Sequence, residues 1–235
     1  MKYCLKFSKV GYIRYTSHLD LLRLFQRSFK RAGIHLLYSN GFNPHPRLSF
    51  AQPLSLGYES LAEYLDFETK DDKKTSGEIA LDLAAIMPEG LDILECWEIG
   101  TGHPTLAAIT EYGAYEATLL LPDLPAGIQQ KAAEFLHQDA ILVSKEQKKT
   151  HKILEFDCKD RISSFECKIG EEGELLLKFN IRTGSTDHLS PDLLLAAFCR
   201  FARIPYEKAE RRILRTELFY SKDGEKVPLS SHGKE

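Results

Sequence analysis

Lys2-Tyr3-Cys4-Leu5-Lys6-Phe7 alternates, with Tyr3, Leu5 and Phe7 on one side, and ten residues later Ser17-His18-Leu19-Asp20 spells a helix start. The alternation predicts a strand. Ser17 with Asp20 three residues on is a capping-box pattern, so a helix should run from there to about Ala32, with Gly33 as its stop. The apolar side of that helix is Leu22, Phe25 and Phe29 with Leu21 and Ala32. Its other side carries Arg23, Arg27, Lys30 and Arg31 at helical spacing. Short strands are expected at Leu36–Tyr38 and Arg47–Ala51, flanking Gly41-Phe42-Asn43-Pro44-His45-Pro46, and a longer one at Ala62–Thr69. Thr75-Ser76-Gly77-Glu78 is a second capping box, opening a helix with Ile79, Leu83, Ile86 and Met87 inward that Pro88 ends. A strand over Leu91–Ile99 follows.

The resulting order, β-α-β-β-α-β, is the ferredoxin-like one. After Gly100-Thr101-Gly102-His103-Pro104, which reads as a linker, the order recurs. Strands are expected at Ala114–Leu121, Ala140–Lys145, Lys152–Cys158, Ile162–Ile169, Glu174–Ile181 and Ala209–Tyr220. Helices are expected after Pro125 and after Ser190-Pro191. The fold class is therefore α+β: two tandem ferredoxin-like (βαββαβ) domains, the second with an extra β-hairpin. The expected boundaries are a basic domain at 1–100, a linker at 101–105, a second domain at 106–220 and a flexible polar tail at 221–235.

Composition frames what this chain can do. It has 235 residues, 43% hydrophobic and 28% charged, with a net charge of −3. That is ordinary for a globular protein and far from disordered or fibrous sequences. No apolar run is long enough to span a membrane, and the amino terminus lacks a signal-peptide core, so a cytoplasmic location is expected. The five scattered Cys fit reduced thiols. The small net charge hides a polarity. Residues 1–57 hold nine basic side chains and one acid, a net of +8, whereas the remainder holds 22 basic and 33 acidic side chains, a net of −11. Such a basic quarter is expected to meet something anionic, such as RNA, a phosphorylated cofactor or an acidic protein; the plainer reading is that it packs beside the acidic remainder of the same chain.

Several chemistries lose their usual signals. Neither Cys-x-x-Cys nor a Cys-rich cluster pattern occurs, and no His pair has zinc-ligand spacing, so no metal and no cofactor is expected. P-loop, dinucleotide and serine-esterase signatures are missing too. Two stretches carry more chemistry than plain structure needs. Arg14-Tyr15-Thr16-Ser17-His18-Leu19-Asp20 leads into a helix N-terminus, where free N–H groups favour an anion. Arg14 and His18 flank that spot, and Arg23, Arg27 and Arg31 continue along the helix. For Ser17 and Asp20 the simpler reading is capping alone. The second stretch is the stiff loop Ser39–Arg47, holding Phe42, Asn43, His45 and Arg47. Phe42 could stack on a base, or plug the core. Arg182 and Arg215 complete the candidate anion-binding set, although solvated strand-edge charge is the plainer account of those two. No catalytic residue is assigned. The sharpest alternative is an acid–base pair of His18 and His45 cleaving RNA.

The first of these stretches, with Gly41-Phe42-Asn43-Pro44-His45-Pro46-Arg47-Leu48-Ser49-Phe50, Pro53-Leu54-Ser55-Leu56-Gly57 and Glu63-Tyr64-Leu65-Asp66, resembles a bacterial family. It is that of the radical SAM-linked, or radical SAM-associated, proteins, domain of unknown function 2344. The likeness is close over residues 2–70 and looser to about residue 220, where Arg215-Thr216-Glu217-Leu218 looks like the family's ending. The resemblance implies a chain encoded beside, or fused behind, a radical SAM protein, often one with a cobalamin-binding domain, in the company of ribosome and RNA-processing functions. It carries no established catalytic residues. With no cluster motif of its own, this chain would be the companion rather than the radical generator. A fainter likeness, of His18-Leu19-Asp20 and the element order, is to CRISPR repeat-processing endoribonucleases, which pair two such domains.

The expected function is thus a non-catalytic accessory protein that binds RNA, tRNA or rRNA, and presents it to a radical SAM enzyme. The alternatives are a metal-independent endoribonuclease using His18 and His45, and a protein-docking module that meets no nucleic acid.

Overall fold

The computed structural model describes residues 1–70, 74–121, 124–147, 151–207 and 211–234. The chain is mixed α/β, with mostly antiparallel strands and few helices, and divides into two compact units. One comprises Met1–Glu111 with Arg215–Glu235, the other Tyr112–Leu214.

The first unit opens with β1 (Lys2–Lys9), a 3-10 turn over Gly11–Tyr15 and α1 (His18–Arg31). Then come β2 (Leu48–Phe50), β3 (Glu59–Glu68), α2 (Ser76–Ala84), β4 (Ile93–Ile99) and the short α3 (Leu106–Ile109). β1 lies between β4 and β3, antiparallel to both, and Leu5 sits opposite Leu65 and Cys96. β2 pairs with the last residues of β3, Ser49 opposite Asp66. The capping signals are borne out. The Ser17 hydroxyl accepts from the Asp20 N–H, and Thr75 with Glu78 forms a full reciprocal box. Asp20 does not return the bond to the Ser17 backbone; its carboxylate accepts instead from the Ser17 hydroxyl at 2.7 Å. α1 ends at Ala32, and Gly33 follows at φ 70°, a conformation that favours glycine.

Both faces of this sheet are covered. On one, Phe7, Phe25, Phe29, Leu65, Phe67, Ile79 and Leu83 form an aromatic-rich core under the helices. On the other, Cys4, Tyr64, Trp97, Ile99, Leu218 and Leu229 form a second core. That second core corrects the expectation of a flexible tail. The strand β10 (Arg211–Lys222) lies beside β3, and β11 (Glu225–Pro228) folds back on β10. A 3-10 turn over Leu229–Ser231 then buries Leu229 completely. The Trp97 indole N–H donates to the His232 carbonyl at 2.8 Å. A polar sequence can be ordered when one apolar side chain and a few backbone bonds seat it, and the composition of 221–235 conceals that. The expected boundaries shift as well: residues 101–105 do not separate the units but lie inside the first, which runs to Glu111 and takes back the chain from Arg215, and there Thr105 caps α3 and Leu106 is fully buried.

In the second unit β5 (Tyr112–Leu119) pairs with β9 (Leu175–Arg182), and β9 with β8 (Ile162–Ile169). α4 (Ile128–Phe135) starts later than Pro125 suggested, at Gly127. β6 (Leu142–Glu146) and β7 (Ile153–Asp157) form a separate hairpin sheet, and α5 (Pro191–Ala202) carries the expected Pro at its start. Rings of Phe135, Phe165, Phe179 and Phe198 interlock in the core of this unit. The expected strand Leu36–Tyr38 is reduced to isolated bridges, Leu36 to Thr69 and Tyr38 to Pro46. Of the expected final strand, Ala209 lies outside the described residues.

Two outcomes follow for the carboxyl-terminal clasp. Leu229→Ala should cost about 2–5 kcal/mol of unfolding free energy, the usual range for emptying a buried leucine site, read by urea denaturation. A frayed tail would show no change. Burial also holds the His232 imidazole below its ordinary value of 6.5, with the neighbouring His103 adding to the effect. The folded protein therefore prefers the neutral ring. Stability should be intact above pH 6.5 and fall as acid protonates His232, and His232→Phe should flatten that slope in thermal melts.

Candidate nucleic-acid interface

The basic residues of the first 57 positions do not share one fate. Lys9, at the end of β1, is 1% exposed. Its ammonium donates to the carbonyls of Thr16, at 3.0 Å, and Arg14, at 3.3 Å. Burial pulls the Lys9 ammonium below its ordinary range, and Glu63 opposes that pull. Glu63 on β3 is itself buried and accepts from Arg215 at 2.8 Å. Arg215 also donates to the carbonyls of Gln52, at 3.0 Å, and Pro53, at 3.4 Å. Two cations and one carboxylate are thus buried in one unit, and four backbone carbonyls accept from the two cations. Arg215 is only 3% exposed, so its expected place among the RNA-contacting residues is corrected. It is a tie between strand and loop. Position on a strand cannot reveal this, because β10 is covered where an edge strand would be open.

Lys2 is buried as well. Its ammonium donates to the His103 carbonyl at 2.8 Å and lies 3.9 Å from Asp66. Lys6 pairs with Glu217 at 2.8 Å. Arg14 is half-buried, its guanidinium 3.6 Å from Glu59 and 3.1 Å from the Tyr15 hydroxyl, to which it donates. Arg23 pairs with Asp20 at 3.1 Å. The Ser17 hydroxyl and Arg23 together hold the Asp20 carboxyl below its usual range. Arg47 pairs with Glu68 at 2.8 Å. A large part of the amino-terminal charge is therefore balanced within its own unit, against the sequence expectation of one open basic surface. What remains unpaired among the described residues is one stretch of α1. Arg27, Lys30 and Arg31 are exposed and make no side-chain ion pair or hydrogen bond. Arg27 and Arg31 flank a groove of about 380 Å³ floored by Leu24, Ile86 and Pro88.

The loop residues divide similarly. Phe42 is fully exposed, which decides against a core plug, and Asn43 and His45 are exposed beside it. The loop is tied by two bonds between Ser39 and His45. The Ser39 N–H donates to the His45 carbonyl at 2.8 Å, and the His45 N–H donates to the Ser39 hydroxyl at 3.0 Å. His18 is exposed, its ring edge-on to Phe50 at 5.2 Å. Neither a ring contact nor a hydrogen bond joins His18 to His45. In the second unit Arg182 lies over the Tyr112 ring at 4.4 Å and 3.9 Å from Asp187.

Sequence reasoning missed two exposed rings, Tyr12 at 94% and Tyr15 at 59% exposure. Both lie in the 3-10 turn before α1, one inside the quoted Arg14–Asp20 stretch. Their signal was available: aromatic residues beside Gly11, with no apolar periodicity to bury them. It also missed a cavity of about 410 Å³ whose lining includes His45, Arg47, Ser49, Asp66, Lys2 and Thr105.

Comparison with known proteins places the chain by family. The family model described as an uncharacterized protein conserved in bacteria, domain of unknown function 2344, matches residues 2–191. The chain belongs to this family. No curated protein matches it. Among solved structures, the crystal structure of a Cbf5-Nop10-Gar1 complex contains a chain that is similar with a TM-score of 0.48 and 7% identity. The match covers 94% of this family member and 50% of that chain, so this chain spans half of its length.

The buried charge cluster predicts an asymmetry. Glu63→Ala leaves Lys9 and Arg215 without a counter-charge and should cost about 3–5 kcal/mol in chemical denaturation, as removal of one member of a buried ion pair does. Arg23→Ala, which breaks only an exposed pair, should stay within about 1 kcal/mol of the wild type.

Proposed function

We propose that this chain is an RNA-binding accessory protein that presents a tRNA or rRNA to a radical SAM enzyme in the cytoplasm, without catalysing a reaction itself. In the same reading each of its two units is a ferredoxin-like domain. The order β-α-β-β-α-β from β1 to β4, with β1 between β4 and β3, supports this for the first unit. The sequence β5, α4, β8, β9, α5 interrupted by the β6–β7 hairpin supports it for the second.

The observation that carries the RNA reading is the pairing of solvent-facing rings with unpaired cations in one unit. Tyr12, Tyr15 and Phe42 face solvent, and of the three Tyr15 is held by Arg14, which donates to its hydroxyl at 3.1 Å. Arg27, Lys30 and Arg31 face it without carboxylate partners among the described residues. Single-stranded nucleic acid is held by this combination, phosphates by cations and bases by stacking. The radical SAM partnership rests on the resemblance of the Arg14–Asp20 and Gly41–Phe50 stretches to the radical SAM-linked proteins, and on nothing else.

Affinity of the full chain for tRNA or rRNA fragments, measured by filter binding, should fall by about a hundredfold between roughly 50 and 200 mM monovalent salt, as several phosphate contacts require. Charge reversal of Arg27 and Arg31 together should weaken binding further at low salt and leave the thermal melt in place. Phe42→Ala should remove about 1–3 kcal/mol of stacking. Salt-insensitive binding, or unchanged affinity in both variants, would falsify the RNA reading. Retention of a nuclease-treated radical SAM protein encoded beside this chain tests the partnership.

A further inference from the structure

The cavity beside the Ser39–Arg47 loop is built differently from the cationic stretch of α1. Its volume is about 410 Å³, within the range of small-ligand sites. The alternation of the strands brings Lys2, Arg47, Ser49, Asp66 and Glu68 to one face of the sheet. Register confirms it: Lys2 is opposite Glu68, and Ser49 is opposite Asp66. The charges there cancel in pairs, Arg47 with Glu68 at 2.8 Å and Lys2 with Asp66 at 3.9 Å. A free phosphate would meet two carboxylates inside and gains nothing over the open α1 surface.

What the cavity leaves unsatisfied is hydrogen bonding. Asp66 is 4% exposed, and its Oδ1 has no hydrogen-bond partner among the described residues, the backbone N–H of Leu106 acting on the carboxylate as a whole. A buried carboxylate oxygen without a donor costs free energy and is rarely kept without a use. The Ser49 hydroxyl makes no hydrogen bond among the described residues. Thr105 accepts from the Ala108 N–H, which leaves its own O–H free to donate. The lining therefore offers one strong acceptor beside two hydroxyls, with no net charge. A neutral planar group carrying N–H donors and carbonyl or ring-nitrogen acceptors on one edge matches that set. The exposed His45 lines the same cavity, and the exposed Phe42 lies on the same loop.

We infer that this cavity is a binding site for one unpaired nucleobase, with Asp66 Oδ1 accepting an N–H from the base edge and Ser49 and Thr105 serving its acceptors. The inference rests on the RNA reading for the source of the base, but the site is testable without RNA. Uncharged nucleosides titrated into the ¹⁵N-labelled full chain should shift the backbone amide signals of Ser49, Asp66 and Thr105, at low and high salt alike. Asp66→Asn should weaken the preferred nucleoside about tenfold, the effect of losing one hydrogen bond to a charged acceptor. Ser49→Tyr, at a half-buried position on the cavity wall, should abolish the shifts while preserving the rest of the spectrum. It decides the matter should Asp66→Asn not fold.

Nucleosides that shift no signal, or shift them equally in both variants, overturn the site. If RNA binds in a salt-dependent manner while nucleosides do not, the cavity assignment fails and the RNA reading stands. If nucleosides bind and RNA does not, the site stands and the accessory role fails.

Discussion

Three charged side chains buried together, Lys9, Glu63 and Arg215, set the layout of the first unit. Isolated charges at that depth would be prohibitive, and two cations on one carboxylate do not balance. The balance is completed by backbone. Lys9 takes the carbonyls of Arg14 and Thr16, and Arg215 takes those of Gln52 and Pro53. Carbonyls that leave a sheet for a loop lack ladder partners, and here the cations supply the donors. In consequence the turn carrying Tyr12, Arg14 and Tyr15 and the loop after β2 are held to the sheet by charge-assisted bonds, which are stronger than neutral ones. The rings on that turn are exposed on a fixed support.

The sheet of this unit has one predominantly apolar face and one mixed face. The helix-covered face is closed by phenylalanines from β1, α1, β2 and β3 that tilt or stand edge-on to one another. The opposite face mixes Tyr64, Trp97 and Leu229 with Lys2, Asp66 and Glu217. Polar residues in that position have to be paired or be put to use. Tyr64 donates to Glu217 at 2.6 Å and Lys6 meets the same carboxylate, so those are paired. Asp66 Oδ1 has no hydrogen-bond partner among the described residues, as is also true of His232 Nε2.

The α1 stretch and the cavity of this unit differ in electrostatic character. On α1, Arg27, Lys30 and Arg31 face solvent without ion pairs among the described residues, an arrangement whose long-range field is screened by salt. In the cavity the charges cancel, which suits short-range selection by hydrogen bonds. Both lie within one unit of the chain.

Local signals in the chain determined much of this protein. Alternation in Lys2–Phe7 and the caps at Ser17 and Thr75 located strands and helices, because those depend on neighbours a few residues away. The exposed loop with Phe42 and His45 was legible from its Gly, Asn and Pro, and the charged side of α1 from its spacing. Tertiary structure alone decided which charges are free. Lys9 and Arg27 look alike in composition, yet one is 1% exposed and the other faces water, and the charges that act on Lys9, Glu63 and Arg215, lie 54 and 206 residues away on β3 and β10. The ordered tail was hidden for the same reason, as Leu229 finds its place only against Cys4, Trp97 and Leu218 once the strands are assembled. Burial is a property of the assembled sheet, and no window of sequence contains it.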